Sequence, residues 1–151
     1  LYKTVTPKVD TSMRAYLSSR EGKEYTKSFF TPVSFVGAFT GLIEQKPSKL
    51  IYEMLTDCKV YELNYLEFMI LCKQDINVSN LYNKVLEYIF IKYEERQLEL
   101  ISLDATERYL KLCEEMPDLE RLIPQYQIAT FLSITPVQLS RIRKKLKESK
   151  K

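Results

Sequence analysis

Apolar residues recur at two different spacings along the chain. In the first part, from Met13 to Leu66, short runs rich in tyrosine, phenylalanine and β-branched residues alternate with turn-forming residues. The runs cover residues 13–17, 24–30, 50–54 and 59–63, and the breakers include residues 20–23, Pro32, Pro47 and Asp57. Short strands separated in this way predict an antiparallel β-domain, either a β-roll or part of a barrel.

From Val78 to Ile101 the spacing becomes helical. Apolar residues follow each other at steps of three and four, interrupted at Arg96 and Gln97, in a seam of Val78, Tyr82, Val85, Ile89, Tyr93 and Leu100. Residues 85–91 are apolar on nearly every side, so this helix must be covered on two faces. A length of ~36 Å favours a dimerisation helix, and the alternative is an internal core helix of a single domain.

Helix-start patterns mark three further helices. Asp104 and Glu107 resemble a capping box that opens a short amphipathic helix, which ends at Met116 before Pro117. A second helix covers residues 125–132. The third begins at Thr135, a good N-cap, with Pro136 in the first helical position and Gln138 completing a T-x-x-Q capping box.

Only Ser133 and Ile134 separate the last two helices, a spacing typical of a helix-turn-helix. The small Ala129 stands where the helices must cross. Apolar side chains that can lock the pair together are Ile128, Phe131, Leu132, Ile134, Leu139 and Ile142. Ser133 occupies a turn position near left-handed backbone space, where a residue other than glycine costs ~1 kcal/mol.

The exposed face of the last helix carries residues that can read DNA. Arg141 can pair with guanine, Gln138 with adenine, and Val137 can contact a thymine methyl. Each residue has an alternative role: Gln138 as part of its own cap, Arg141 as a phosphate contact, and Val137 as an ordinary surface residue. The predicted DNA-binding residues are Gln125, Thr135, Pro136, Val137, Gln138, Ser140, Arg141, Arg143, Lys144 and Lys145.

Charge is distributed unevenly along the chain. Residues 141–151 hold seven basic residues and one acid, a net charge of +6, whereas the whole chain carries +3. The remaining residues therefore sum to −3. A basic end on a slightly acidic body is expected of a phosphate-binding surface, although a lysine-rich terminus can also be a solvated tail.

Composition excludes several classes of protein. The chain has 151 residues, of which 45% are hydrophobic and only three are glycine, so it is globular. No run reaches the ~20 apolar residues of a membrane span and no signal peptide is seen, so we expect a cytoplasmic protein. Because the first residue is Leu1, we also expect native sequence upstream.

The residues needed for metal, haem or catalytic sites are missing or scattered. Cys58, Cys72 and Cys113 are far apart and predict buried free thiols, and histidine is absent. No catalytic residue, metal site or cofactor is predicted. Glu94 and Glu95 lie on a solvated stretch without a nucleophile or phosphate loop, so we do not expect an enzyme.

The order of these motifs resembles the Crp/Fnr superfamily of bacterial transcription regulators, and most of all its divergent members from Bacteroidetes-type bacteria. The resemblance is carried by residues 103–109 (LDATERY), 123–129 (IPQYQIA) and 134–143 (ITPVQLSRIR), and it covers roughly residues 13–146. Residues 1–11 match nothing in the family. The comparison also implies that the first strands of the β-roll are absent from this chain or interrupted in it.

The resemblance implies an α+β fold in three parts. Residues 1–77 would form a partial, cyclic-nucleotide-binding-like β-roll, residues 78–101 the dimerisation helix, and residues 102–151 an all-α helix-turn-helix domain. It also implies a homodimer on a palindromic site in double-stranded DNA, its two recognition helices ~34 Å apart, with RNA polymerase as a further partner. The alternative is a ligand-binding or protein-interaction module whose helix-turn-helix is structural.

Many relatives bind cyclic AMP inside the β-roll, but the matching residues here depart from that pattern. Ala38 follows Gly37 where relatives have the glutamate that binds ribose, and Ser48 and Lys49 stand where an arginine clamps the phosphate. Loss of the arginine alone removes a contact worth ~1.5–3 kcal/mol. We therefore expect no cyclic AMP binding of the usual kind, although another apolar or aromatic ligand stays open. The degenerate pocket candidates are Arg14, Gly37, Ala38, Ser48, Lys49, Tyr93 and Glu94.

Overall fold

The computed structural model describes residues 2–4, 13–31, 34–57 and 59–149. Within these residues the chain is α+β, as expected, with the strands in its first half and the long helices in its second. The strands are β1 (Tyr2–Thr4), β2 (Met13–Ser18), β3 (Glu24–Phe30), β4 (Phe35–Val36), β5 (Ile51–Met54) and β6 (Val60–Glu62). The helices are α1 (Phe39–Glu44), α2 (Tyr65–Gln74), α3 (Ile76–Ser102), α4 (Ala105–Glu115), α5 (Leu119–Leu122), α6 (Gln125–Phe131) and α7 (Pro136–Glu148).

The strands form two small antiparallel sheets. One has the order β4-β1-β6 and the other β3-β2-β5. The turn between β2 and β3 is closed by a hydrogen bond of 2.8 Å from the Ser19 N–H to the Lys23 carbonyl, with Gly22 at a φ of 77°. Glycine suits this position because it has no Cβ to clash there. Strand β1 lies in the segment that the sequence pattern left unassigned.

Two helices follow the sheets as a hairpin. The Asn64 side chain accepts hydrogen bonds from the N–H groups of Leu66 and Glu67 and so caps α2, and Asp75 caps α3 in the same manner. The Phe68 and Tyr82 rings pack edge to face with their centroids 5.5 Å apart, and the Tyr82 hydroxyl lies 3.1 Å from that of Tyr65. Helix α2 was not expected, because the sequence pattern placed the β-domain up to Leu66.

A cluster of buried apolar side chains lies among the C-terminal helices. It consists of Tyr109, Leu112, Ile123, Ile128, Ala129, Leu132 and Leu139. Helix α4 begins with the predicted capping box, in which Asp104 accepts from the backbone and the Glu107 side chain accepts from the Asp104 N–H at 2.7 Å. These helices therefore form a core of their own, which holds α6 and α7 together.

Two other findings bear on the expectations from composition. Across the described residues, none of the helices combines the length and apolar character needed to span a membrane. Cys72 and Cys113 are thiols outside any disulfide among the described residues, and both are only partly buried rather than buried as expected. Cys58, and the tail residues Lys150 and Lys151, lie outside the described residues.

Candidate DNA-binding surface

Helices α6 and α7 are joined by a tight turn. The Ile134 N–H donates to the Ala129 carbonyl at 3.0 Å and the Ser133 N–H to the Thr130 carbonyl at 3.1 Å. Ser133 has a φ of 59°, which confirms the expected left-handed turn residue. Ala129, the small residue expected where the helices cross, is fully buried.

The predicted locking residues hold this geometry. Leu132 and Leu139 are fully buried, Ile128 is 1% exposed, and Phe131, Ile134 and Ile142 pack against the same core. Deleting one such buried leucine side chain typically costs about 2–5 kcal/mol. The orientation of α7 relative to α6 is therefore fixed by packing rather than by the turn alone.

The start of α7 is secured by the predicted capping box. The Thr135 hydroxyl accepts from the Gln138 N–H at 3.2 Å, and the Gln138 side-chain oxygen accepts from the Thr135 N–H at 2.9 Å. Bidentate pairing with adenine uses both the oxygen and the NH2 group of a glutamine. Since the oxygen of Gln138 is occupied by the cap, only its NH2 group is free to donate.

Five exposed residues lie on one side of α7, and three of them are basic. We call this set the α7 reading face and define it as Val137, Ser140, Arg141, Lys144 and Lys145. All five are exposed, as predicted. Within the described part of the chain, Arg141 makes no ion pair. Its guanidinium is therefore available to a ligand outside the molecule, with two N–H groups that can pair with guanine.

Arg143 differs from Arg141 because it already has a partner. Its Nε lies 2.8 Å from Glu120 Oε1, and the Tyr109 hydroxyl donates to the same oxygen. Burial, together with this hydrogen bond, raises the pKa of Tyr109 above its ordinary value. Arg143 thus ties α7 to the short helix α5, a role that sequence spacing did not suggest, and its DNA contact stays a prediction.

The N-terminus of α6 lies beside α7. The Gln125 amide donates to the Pro136 carbonyl at 3.3 Å, which brings the first residues of both helices together. Beside Gln125 lies an open cleft with three basic residues and one acid in its lining, which is formed by Gln125, Ser140, Arg143, Lys144, Lys147 and Glu148. A cleft of this charge suits a backbone phosphate.

Two of the seven candidates for a ligand pocket, Arg14 and Tyr93, are engaged with other side chains. Arg14 is 2% exposed and forms ion pairs with Glu24 at 2.6 Å and Glu53 at 2.5 Å. The Tyr93 hydroxyl accepts from Lys27, whose ammonium lies 4.5 Å from the ring centroid. Neither the guanidinium nor this hydroxyl projects freely toward a ligand.

The other pocket candidates lie at exposed or partly buried positions. Gly37 and Ala38 precede α1, and Ala38 is its N-cap without a side-chain hydrogen bond. Ser48 and Lys49 are exposed, and the Ser48 hydroxyl accepts from the Leu50 N–H at 2.9 Å. Glu94 is exposed on α3. Whether any of these residues binds a ligand stays a prediction.

One contact was missed by the sequence pattern. Helix α6 packs not only on α7 but also on strand β3, where the Thr130 hydroxyl accepts from the Thr26 N–H at 3.2 Å. Gln127, on the same side of α6, is 3% exposed. The sequence alone offered no signal for this contact, because neither the burial of Gln127 nor the pairing of Thr130 with β3 can be seen from local spacing.

Comparison with known proteins shows which solved structures share this arrangement of helices and strands. No protein-family model matches the chain, and no curated protein matches its sequence. Solved structures do match, among them FixK2 from Bradyrhizobium japonicum, with a TM-score of 0.76 over 98% of this chain and 74% of that one at 19% identity. The chain has the fold of the Crp/Fnr regulators.

Two further structures share this fold. A protein from Eubacterium rectale assigned to the Crp/Fnr family has a TM-score of 0.75 at 14% identity, over 98% of this chain and 69% of that one. The global regulator CLP of Xanthomonas campestris, which responds to c-di-GMP, has a TM-score of 0.62 at 19% identity, over 98% of this chain and 77% of that one. The Crp/Fnr resemblance of the sequence motifs is thus confirmed at the level of the fold.

Proposed function

We propose that the protein is a DNA-binding transcription regulator that acts as a homodimer on a palindromic site. The observation that carries the proposal is the α7 reading face, on which Arg141 is exposed and without an ion pair among the described residues. A helix with a capped N-terminus and a free basic face is suited to enter the major groove.

The charges around this face support the assignment. Lys144, Lys145 and Lys147 are exposed on α7, and the basic cleft beside α6 continues the same surface. Lysines along the flanks of a recognition helix contact phosphates and supply affinity, whereas Arg141 and Val137 at its centre can reach base edges. The surface therefore combines both parts of a DNA contact.

Helix α3 supports the homodimer. Phe90 is 69% and Ile101 80% exposed, and the two side chains lie on one face of this 27-residue helix. Large apolar side chains this exposed on a long helix are typical of a protein interface, and a two-fold axis beside α3 would pair them with those of a second copy.

The occupied pocket candidates support a regulator that does not bind cyclic AMP in the usual manner. A cyclic phosphate needs a free guanidinium or an equivalent donor set. Arg14 is instead held by Glu24 and Glu53, and the Tyr93 hydroxyl by Lys27. A ligand of another kind would have to displace these contacts or bind elsewhere.

Fluorescence anisotropy on duplex DNA tests the proposal. DNA sequences selected from a random pool should yield a palindrome, and the affinity for it should fall steeply with added salt, because phosphate contacts release counterions. Addition of cyclic AMP should leave the binding curve unchanged.

The outcomes separate this function from its alternative. Absence of binding at low salt, or binding that salt does not weaken, would favour a module whose helix-turn-helix is structural. A selected site without two-fold symmetry would contradict the homodimer, and a shift of the curve by cyclic AMP would contradict the effector part alone.

A further inference from the structure

The buried polar side chains of the described residues meet at one place. Arg14 is 2%, Thr26 6% and Gln127 3% exposed, and all three lie where α6 packs on strands β2 and β3. Burial of polar groups costs free energy unless hydrogen bonds replace those to water. Their concentration here indicates a contact made by specific polar pairs rather than a nonspecific apolar contact. We call it the α6–β3 joint, formed by Arg14, Thr26 and Phe29 with Gln127, Thr130 and Phe131.

The centre of the joint is a pair of threonines. Strand β3 is at the edge of its sheet, and its Thr26 N–H donates to the Thr130 hydroxyl on α6 at 3.2 Å. The two hydroxyl oxygens also lie 3.2 Å apart. The helix thereby satisfies a backbone donor that an edge strand would otherwise expose. Because the donor and the hydroxyl must face each other, the contact restrains the position of α6 along β3 and the rotation of α6 about its axis.

A buried arginine forms the second contact. Arg14 on β2 is held in place by Glu24 and Glu53, and its guanidinium carbon lies 4.0 Å from the centroid of the Tyr16 ring. In the orientation that its neighbours require, the Gln127 amide oxygen accepts from both Nη atoms of Arg14 at 3.2 Å. The β-domain therefore presents a fixed pair of donors to α6.

An aromatic contact completes the joint and links it to α3. The rings of Phe29 and Phe131 are 5.0 Å apart between centroids. Arg96 of α3 stacks over Phe131, with its guanidinium carbon 4.2 Å from the ring centroid, and donates to the Phe131 carbonyl. The end of α6 is thus held by the β-domain and by α3 at once.

We propose that the α6–β3 joint sets the orientation of the helix-turn-helix for DNA binding, and that Gln127 and Thr130 are positioning residues. This inference rests on the function proposed above. The joint does not obstruct DNA binding, because it lies on α6 and the residues of the α7 reading face remain exposed. Two reading helices in a dimer keep a fixed spacing only if each is fixed to the body of its own protomer.

The test compares two substitutions of the same residue. Thr130→Val removes the hydroxyl and keeps the branched shape, whereas the matched control Thr130→Ser keeps the hydroxyl. Gln127→Met, which removes the acceptor for Arg14 at similar volume, is an independent second variant. Circular dichroism melts establish that each variant is folded, and anisotropy is measured on a full palindrome, on a single half-site, and on palindromes with one base pair added or removed.

Thr130→Val and Gln127→Met should each lower affinity for the full palindrome roughly fivefold, as expected for the loss of one hydrogen bond that supports the orientation. Affinity for the single half-site should be unchanged, and the preference for one spacing should weaken. Thr130→Ser should behave as the wild type. Without DNA, hydrogen exchange at the Thr26 amide should accelerate in Thr130→Val and not in Thr130→Ser.

Three results would overturn the inference. If the wild type bound DNA and both Thr130→Val and Gln127→Met kept its affinity and spacing preference, the positioning role of the joint would be refuted and the proposed function would stand. Equal losses on the full and half-site duplexes would show damage to the reading unit itself. If the wild type bound no DNA, both the proposed function and the positioning role would fall.

Discussion

The polar residues of α7 differ in whether their side chains already have partners within the protein. Gln138 uses its oxygen in the helix cap and Arg143 is paired with Glu120, whereas Arg141 has no ion pair among the described residues. The cap could be predicted because its partners are three residues apart. The Arg143 pair could not, because Glu120 lies 23 positions earlier, and no local spacing rule connects such residues.

Arg141 should therefore be the base reader of this surface. Replacing it by alanine removes a bidentate pair and should cost about 1–3 kcal/mol on the selected site, with weaker discrimination between sequences. Anisotropy on the selected site and on a scrambled duplex measures both effects.

Lys145→Ala is the matched control, because this residue lies at the edge of the reading face. Backbone N–H groups of Glu107 and Thr106 hold the pKa of Asp104 below its ordinary value, and the nearby charges of Arg108 and Lys145 lower it further. We expect Lys145 to contact phosphates rather than base edges, so its loss should weaken binding to both duplexes alike. Equal effects of the two substitutions on both duplexes would show that Arg141 does not read bases.

At the scale of elements, one ion-pair cluster joins the long helix to the helices that follow it. Glu99 on α3 lies 2.6 Å from Lys111 of α4 and 2.9 Å from Arg96, which in turn contacts the end of α6. Burial opposes ionisation of Glu99, but the hydrogen bonds from Lys111 and Arg96 outweigh it and hold the pKa below its ordinary value. The carboxylate therefore stabilises the folded state only while it is ionised.

Glu99 should make stability depend on pH at the acid side. Since its pKa is lower in the folded state than in the unfolded one, its contribution is present above the unfolded pKa of about 4.3 and is lost as pH falls through the folded pKa. Glu99→Gln should lower the free energy of unfolding by about 1–2 kcal/mol at pH 7 and by less at pH 3. Urea unfolding at both pH values measures the difference.

Glu87→Gln is a suitable comparison for Glu99→Gln, since Glu87 pairs with Lys84 on an exposed part of the same helix. Exposed pairs contribute little, so this variant should unfold like the wild type. A Glu99→Gln penalty that is the same at both pH values would argue against the ionised carboxylate as its cause.

Element boundaries could be predicted where caps mark them. Thr135, Pro136 and Asp104 located the starts of α7 and α4, because a cap needs a particular side chain at a fixed position. Helix α2 was missed because the apolar residues of Tyr65–Gln74 do not concentrate on one face. Strand β1 was missed because three residues hold too little pattern; its pairing with β4 and β6 comes from distant chain segments.

At the scale of the whole molecule, the sequence predicted the parts better than their contacts. The β-domain, long helix and helix-turn-helix follow from local spacing and from the family resemblance. The α6–β3 joint joins Thr26 to Thr130, 104 positions apart, through side chains whose types are common on surfaces. Nothing local distinguishes such a buried threonine from an exposed one, so only the folded arrangement shows it.

The oligomeric state of the protein is also a property of the whole molecule. Phe90 and Ile101 expose large apolar side chains on one face of α3, and burying each against a second copy would contribute about 1.5–3 kcal/mol per side chain. We therefore expect a dimer in sedimentation velocity at micromolar concentration. Replacing both residues by serine should raise the dissociation constant at least about a hundredfold, because a two-fold interface loses four such side chains.

Tyr61→Ser provides the control for that dimer, since Tyr61 is 64% exposed on β6 rather than on α3. It should leave the sedimentation profile unchanged. The consequence extends to DNA: a monomeric double variant should keep the wild-type affinity for a single half-site but lose the gain from the second one, since that gain depends on the two reading units being joined. A wild-type protein that sediments as a monomer up to the highest concentrations would contradict the homodimer. A double variant that still dimerises would place the two-fold interface somewhere other than this face of α3.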